Sequence, residues 1–397
     1  MHAYAQDALF VSARKLKLFA QQHSAPFYLY DEAGIRRTAT QLQGAFGRFA
    51  GFRQYFPVAL NPNPALLQLL CQLGYGAVCE NAAQLQLAEH AGFSGTALLY
   101  APLLIMPDAE ALAHQLDCTF VLDGPHCLPQ RAPKRVLLTL RPEGRLRLAD
   151  GSSIQFDTLK TGMPEAELFH LAQRLHLAGT QSFGLILPAC HNDLRPGYYP
   201  AIAQTLCTAA VRLKAQTGIT AECCNLADGF GISYRHGEPE PELPACCDAI
   251  AQIVQETLIP AGLTATRLET TLGRFVLAKH AIFVARVAAV KTRKTPLLIL
   301  EAAAQQFPDA SPLATYHHVS ILGSSEPQRW LLYDISGCQF DLRRLMAARR
   351  LLPPAQPGDW LVFHDAGVNG SALAAPAVGY PPCAEFLFTQ SGEFQHI

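Results

Sequence analysis

The sequence has no uninterrupted apolar run of about 18 residues, the length at which a membrane-spanning helix becomes possible. Its first 19 residues also lack the continuous apolar stretch and the small-residue cleavage site of a secretory signal. Charge of one sign is not concentrated anywhere, because the 31 basic and 32 acidic residues balance and no run of like charges occurs. We therefore expect a cytoplasmic protein that neither spans a membrane nor binds nucleic acid.

Cysteine spacing of the zinc-finger type is also missing. The chain has 12 cysteines, but no two form a CxxC pair. Two pairs are adjacent, Cys223 with Cys224 and Cys246 with Cys247, where a local disulfide would be strained. We expect reduced thiols that act as small hydrophobic side chains, and no metal site.

The order of apolar segments predicts the architecture. Hydrophobic residues make up 50% of the 397 residues, so the chain can bury a large core. From about residue 27, short β-rich runs alternate with longer helix-like segments, which is typical of repeated βα units. We predict a (β/α)8 barrel over 27–274, with a doubly wound sheet as the structural alternative. After it, strands follow without intervening helices, so 1–26 and 275–397 are expected to form an antiparallel β domain.

Three segments carry a resemblance to a known family. They are APFYLYD at 25–31, FPVALNPNP at 56–64 and PGDWLVFHDAGVN at 357–369. In order and separation they resemble the fold type III pyridoxal-phosphate (PLP) decarboxylases, the diaminopimelate and ornithine decarboxylase family. The resemblance covers nearly the whole chain and implies an alanine-racemase-like TIM barrel followed by a C-terminal antiparallel β domain. It also implies a homodimer, because the family builds each site from two chains.

Several of the residues that bind PLP in this family are changed here, although Arg274 is kept. The lysine that forms the Schiff base falls on Ala59, and a methyl group cannot form an imine. The histidine that stacks on the pyridine ring falls on Pro188, and the family glutamate of E-P-G-R falls on Thr271, although a shifted alignment would give that role to Glu269. The phosphate-binding G-G-G becomes Ala-Asp-Gly at 227–229. The degenerate cofactor positions are Ala59, Pro188, Gly229, Thr271, Gly273, Arg274 and Asn369.

The resemblance therefore implies a decarboxylase-like protein whose PLP site is erased, so that no cofactor is expected; if this interpretation is wrong, the cofactor is PLP. The chain would bind a small, anionic amino-acid-like molecule near Arg274, or a catalytic partner protein. Two alternatives stay open. One is a PLP-dependent amino-acid decarboxylase with a lysine-to-alanine change at position 59. The other is a cofactor-independent enzyme at the barrel mouth, where Cys190, His191 and Asp228 could serve catalysis.

Two further residues bear on the same resemblance. Cys338 matches the cysteine of the family's substrate-side motif and is also a catalytic candidate, while the acidic residue beside it in the family is Gln339 here. Lys160 matches the lysine of the family's K-F-G segment and not the Schiff-base position. Because Gln339 is not acidic, recognition of a dibasic amino acid is not expected.

Overall fold

The computed structural model describes residues 9–23, 25–235, 237–307, 316–323, 329–340, 345–374 and 379–397. In chain order its helices are α1 (Ala13–Gln22), α2 (Glu32–Phe46), α3 (Pro64–Gln72), α4 (Ala82–His90), α5 (Pro107–Gln115), α6 (Glu165–Leu177), α7 (Tyr198–Thr217), α8 (Leu243–Thr257) and α9 (Arg274–Leu277). Its strands are β1 (Phe27–Asp31), β2 (Arg53–Pro57), β3 (Gly76–Cys79), β4 (Leu98–Tyr100), β5 (Thr119–Leu122), β6 (Arg135–Thr139), β7 (Arg145–Arg147), β8 (Ser153–Gln155), β9 (Ser182–Ile186), β10 (Asn192–Asp193), β11 (Ala221–Asn225), β12 (Gly229–Phe230), β13 (Arg267–Thr270), β14 (Ala281–Lys291), β15 (Leu297–Leu300), β16 (Val319–Ile321), β17 (Leu331–Ser336), β18 (Ala347–Leu352), β19 (Trp360–Phe363), β20 (Ala384–Phe388) and β21 (Phe394–His396).

The chain divides into two compact units. The barrel unit comprises Ala39–Ile232 and Pro239–Phe275. The sheet unit comprises Met1–Thr38, Ser233–Glu238 and Val276–Ile397. Within the part of the chain that the structure describes, no helix is long and apolar enough to cross a membrane.

The barrel unit is built around a closed ring of eight parallel strands in the order β11-β13-β2-β3-β4-β5-β6-β9. This confirms the (β/α)8 barrel, and the doubly wound alternative is wrong. The strands are short and mostly buried, as in β4 and β5, where every position is buried. Side chains fill the interior, as barrels of this size require; they include Tyr55, Leu99, Val121, Leu137, Ile186, Cys223 and Ala227.

Local signals in the sequence set the ends of the barrel helices. The helix α3 begins after Asn63, whose Oδ1 accepts a hydrogen bond from Ala65 N at 3.0 Å, with Pro64 at the first helical position. The longest of the described helices, α7, ends at Thr217 and is capped by Gly218, which has a φ of 75°. The start of α3 and the end of α7 therefore follow the capping rules.

The sheet unit holds a nine-stranded sheet. Its main path is β18-β17-β15-β14-β1-β20-β21, and β19 pairs with both β14 and β16. The expected antiparallel order is only partly right, because β1 pairs with β20 and β15 with β17 in parallel. The sheet is therefore mixed.

The strand β1 lies in this sheet, whereas the sequence predicted it as the first strand of the barrel. It pairs antiparallel with β14 and is absent from the barrel ring. All five of its residues are buried. An apolar strand buried on both faces looks the same in a barrel and in a covered sheet, so its pattern alone could not assign it.

Candidate functional site

A cavity of about 500 Å³ opens at the carboxyl ends of the barrel strands. Barrels place their chemistry at this end, where loops from several strands converge. The wall combines apolar side chains with a small set of charged ones: Glu80, Asp123, Lys160, Asp228 and Arg274. All the lining residues belong to the barrel unit.

The cavity brings together most of the positions that the sequence analysis singled out. Gly229, which begins β12, and Gly273 are outside the lining, while Cys338 and Asn369 belong to the sheet unit. The singled-out residues that line the cavity are Ala59, Pro188, Cys190, His191, Asp228, Thr271 and Arg274.

Ala59 sits in a short 3₁₀ turn, Val58–Leu60, directly after β2. It is half-buried, and the turn is held by its neighbours. Gly273 lies so close to Leu60 that a Cβ atom at that position would overlap it. After the turn, Asn61 Oδ1 accepts a hydrogen bond from Asn63 N at 3.1 Å. Ala59 lines the cavity, where its side chain is a methyl group.

A buried glutamine on β2 holds the loop that carries Thr271 and Arg274. Gln54 Nε2 donates to Leu272 O at 2.9 Å, and Leu272 N donates to Gln54 Oε1 at 3.3 Å. The Thr270 hydroxyl donates to the same Oε1 atom. Since Gln54, Thr270 and Leu272 are all buried, these bonds replace water and fix the loop at the cavity rim.

The loop after β11 places Asp228 at the cavity. Ala227, with a φ of 56°, donates its N–H to Asn225 Oδ1 at 2.8 Å. Its carbonyl accepts from the Tyr199 hydroxyl at 2.9 Å and from Thr271 N at 3.0 Å. The backbone beside Asp228 is thus satisfied by protein groups, so the position of this carboxylate is well defined.

No described side chain forms a hydrogen bond or a close ion pair with the Asp228 carboxylate. Its Oδ2 atom is 3.9 Å from Arg274 Nη1 and 3.9 Å from His191 Nδ1, both longer than a hydrogen bond. Its Oδ1 atom is buried and accepts no hydrogen bond from any described residue. Cys190 Sγ accepts a bond from Asn192 N at 3.4 Å, and His191 is 83% exposed. Cys190, His191 and Asp228 are near one another but form no hydrogen-bonded catalytic chain in the described structure.

Lys160 lines the same cavity, which the sequence analysis did not anticipate. It lies on a loop fixed by Gly162 N, which donates to Asp123 Oδ1 at 2.6 Å, and by Met163 N, which donates to Thr139 O at 3.0 Å. The β7–β8 hairpin separates Lys160 from β6 along the chain. Residues that directly follow a barrel strand are expected at the mouth of the barrel. This expectation includes Asp123, which follows β5, but not Lys160.

Glu269 is not part of the cavity lining. Its Oε1 atom is 3.9 Å from Arg267 Nη2, and its Oε2 atom accepts from Asn225 Nδ2 at 3.4 Å. Burial raises the pKa of this carboxyl, and the charge of Arg267 opposes that shift. Thr271, two residues on, lies in the cavity wall.

No group of three or more His, Cys, Asp or Glu side chains is arranged to hold a metal ion within the described ranges. None of the 12 cysteines, all of which are described, forms a disulfide.

Comparison with known proteins assigns the family. Residues 27–367 match the family model described as "Pyridoxal-dependent decarboxylase, C-terminal sheet domain". The chain belongs to this family. Protein TabA of Pseudomonas amygdali pv. tabaci is 27% identical over 380 residues, covering 94% of this chain and 88% of TabA. A probable chloroplastic diaminopimelate decarboxylase of Oryza sativa subsp. japonica is 26% identical over 366 residues, covering 88% of this chain and 72% of the plant protein.

Solved structures agree on the fold of this pyridoxal-dependent decarboxylase family member. Diaminopimelate decarboxylase from M. jannaschii, in complex with L-lysine, superposes with a TM-score of 0.85 at 18% identity, covering 96% of this chain and 91% of that one. The Helicobacter pylori enzyme complexed with L-lysine gives 0.81 at 20% identity, covering 96% and 95%. The predicted family and the predicted combination of barrel and sheet domain are confirmed.

Proposed function

We propose that this chain is a decarboxylase-like protein that binds a small amino-acid-like molecule in the barrel cavity without PLP catalysis. The observation that carries the proposal is that Ala59 lines the cavity. The family resemblance aligns this residue with the Schiff-base lysine. A methyl group can neither form an imine nor transfer a proton. The covalent anchor and the reacting amine are thus both missing from that position.

The other cavity residues do not fit PLP bound in the family manner. Thr271 offers a hydroxyl where the family has a glutamate, and Pro188 offers no aromatic ring for stacking. Asp228 places a carboxylate in the loop whose backbone amides would face a phosphate in the family. Its negative charge would repel a phosphate, and Arg274, at 3.9 Å, is too far away to bond it tightly.

The size and chemistry of the cavity support a small amphipathic ligand. Its volume of about 500 Å³ lies within the usual range for small-molecule sites. The solved relatives from M. jannaschii and Helicobacter pylori hold L-lysine, which supports an amino-acid-like occupant. A cofactor-independent reaction has less support, because Cys190, His191 and Asp228 lack the hydrogen bonds that would link a nucleophile to a base.

The test is an absorbance titration with PLP of the unaltered chain and of Ala59→Lys. We expect neither protein to develop a bound-cofactor band, because several contacts besides the lysine are changed. A Lys160→Gln variant is the matched control, since Lys160 is the lysine that lines the cavity. It reports any adduct formed there.

Two results would contradict the proposal. A bound-cofactor band in the unaltered chain would show that PLP binds despite Ala59. A band in Ala59→Lys alone would show an intact pocket, and the chain would then be a PLP-dependent decarboxylase that lacks one residue.

A homodimer is part of the proposal and is supported by the family resemblance. Sedimentation equilibrium of the full chain should give twice the chain mass of 43.2 kDa. A monomer across the concentration range would refute the dimer. Co-purification of an active family member would instead favour a role as a non-catalytic partner.

A further inference from the structure

The deep wall of the barrel cavity is apolar. Leu99, Val121, Ile186 and Ala227 line it and also belong to the buried cluster inside the barrel. A carboxylate that entered this region would lose its hydration without gaining a partner, which is costly. A ligand with an apolar body and a charged head group must therefore keep the head group near the charged part of the wall.

One arginine and one lysine, Arg274 and Lys160, line the cavity, and they differ in their partners. Arg274 faces Asp228 at 3.9 Å and is only 17% exposed. Lys160 is exposed, and no carboxylate of a described residue lies within 4.0 Å of its ammonium group. Lys160 is thus a cation in the cavity lining that forms no ion pair with a described carboxylate.

Of the three acidic side chains in the cavity wall, Asp123 and Asp228 lie beside other protein groups. Asp123 accepts from Gly162 N at 2.6 Å through Oδ1, and its Oδ2 atom lies 3.7 Å from His126 Nε2. Asp228 faces Arg274 and His191. Glu80, also in the lining, is exposed.

The loop that carries Lys160 is anchored just after the lysine, at Gly162 and Met163. Gly162, with a φ of 89°, packs against Arg141 so closely that a Cβ atom would lie 2.9 Å from Arg141 Cβ. Arg141 N also donates to Met163 O at 2.9 Å. The backbone near Lys160 is thereby held in place, so binding does not have to order the loop that carries the lysine.

We propose that Lys160 binds the carboxylate of the ligand at the cavity rim, with the ligand's apolar part against the barrel wall. This inference rests on the proposed function and deepens it, because it names the residue that selects a carboxylate. A hydrogen bond between two charged groups is stronger than one between neutral groups. Lys160 is therefore a specificity-determining residue for the anionic head group.

The experiment uses three probes of one chain length: hexanoate, hexylamine and norleucine. They carry a carboxylate, an ammonium group, or both. Dissociation constants are measured by calorimetry on the full chain and on Lys160→Gln and Lys160→Arg. The control is Lys134→Gln, which removes the same charge from the barrel unit at a lysine outside the cavity lining, where Lys134 pairs with Asp117 at 3.3 Å.

We expect Lys160→Gln to weaken hexanoate and norleucine about tenfold, an effect typical of losing one charged hydrogen bond. Hexylamine should be unaffected, Lys160→Arg should retain most of the affinity, and Lys134→Gln should match the unaltered chain. The loss should shrink at high salt, because the lysine is exposed and its charge is screened.

The outcomes separate the two proposals. If hexanoate and norleucine bind equally well to Lys160→Gln and the unaltered chain, the role of Lys160 is refuted while the proposed function stands. Binding of hexylamine alone would also refute it, since the cavity would then select an ammonium group. If none of the probes binds to the unaltered chain, the proposed function fails, and the inference fails with it.

Discussion

Replacing Gln54 by leucine should loosen the loop that forms one side of the cavity. Leucine has nearly the volume of glutamine, so the change removes hydrogen bonds without opening a large void. It leaves the N–H and C=O groups of Leu272 and the hydroxyl of Thr270 without this partner, in a region where both residues are fully buried. Each unsatisfied buried group costs about 1 kcal/mol or more, so the barrel unit should lose about 3 kcal/mol of stability.

The two units can be followed separately during urea unfolding. The chain has 2 tryptophans, Trp330 and Trp360, and both belong to the sheet unit, so their fluorescence reports that unit. Far-ultraviolet circular dichroism is dominated by helices, of which the barrel unit holds α3 to α8. Gln54→Leu should therefore lower the midpoint of the dichroism transition more than that of the fluorescence transition. The control is Gln252→Leu, an exposed glutamine on α8, which should change stability by less than about 0.5 kcal/mol.

The same variant should weaken norleucine binding, because Thr271 and Arg274 follow the residues that Gln54 holds. A loss of stability below about 0.5 kcal/mol, with unchanged norleucine affinity, would refute the reasoning. It would mean that water or a local shift satisfies the Leu272 groups and that the loop keeps its place without the glutamine.

Two further predictions concern backbone strain and pH. Gly229→Ala should lower the free energy of unfolding by about 3 kcal/mol and Gly218→Ala by about 1 kcal/mol. Both glycines have a positive φ, but only a Cβ atom at position 229 would meet the Tyr198 ring, at 2.6 Å. Equal losses in urea unfolding would show that the ring contact is harmless. Burial, with neighbouring histidines adding to it, lowers the pKa of His364 from 6.5 to about 3. As pH drops, the unfolded chain protonates this histidine before the folded chain does. The free energy of unfolding of the sheet unit should therefore fall between pH 6.5 and pH 3, by up to about 1.4 kcal/mol per pH unit. His364→Gln should flatten that slope in tryptophan fluorescence, and an unchanged slope would contradict the assignment.

The architecture could be predicted because alternating βα units and later consecutive strands leave different patterns in the sequence. The assignment of β1 failed for a physical reason. Its five buried residues carry no polar face that would distinguish a barrel strand from a strand inside a covered sheet. Its partners β14 and β20 lie far along the chain, and no local signal announces such pairing.

The site was partly predictable for a similar reason. Ala59, Pro188 and Thr271 follow barrel strands directly, and the mouth of a barrel is formed by such residues. Lys160 reaches the cavity from a loop beyond a hairpin, and Gln54 acts from inside a strand. Their roles depend on contacts with Gly162 and Leu272, which sequence spacing does not specify.

The contacts that hold the turn around Ala59 do not involve the side chain at that position. The turn that carries Ala59 is held by Leu60 against Gly273 and by the side chain of Asn61, and none of these contacts uses the side chain at position 59. The polar groups of the neighbouring loops are satisfied by Gln54 and Asn225, again without position 59. Because Ala59 faces the cavity and not the packed core, an alanine there leaves no core void and no unpaired buried group. The fold therefore does not depend on which side chain stands at position 59, so family membership fixes the architecture of this chain and leaves its activity to the cavity residues.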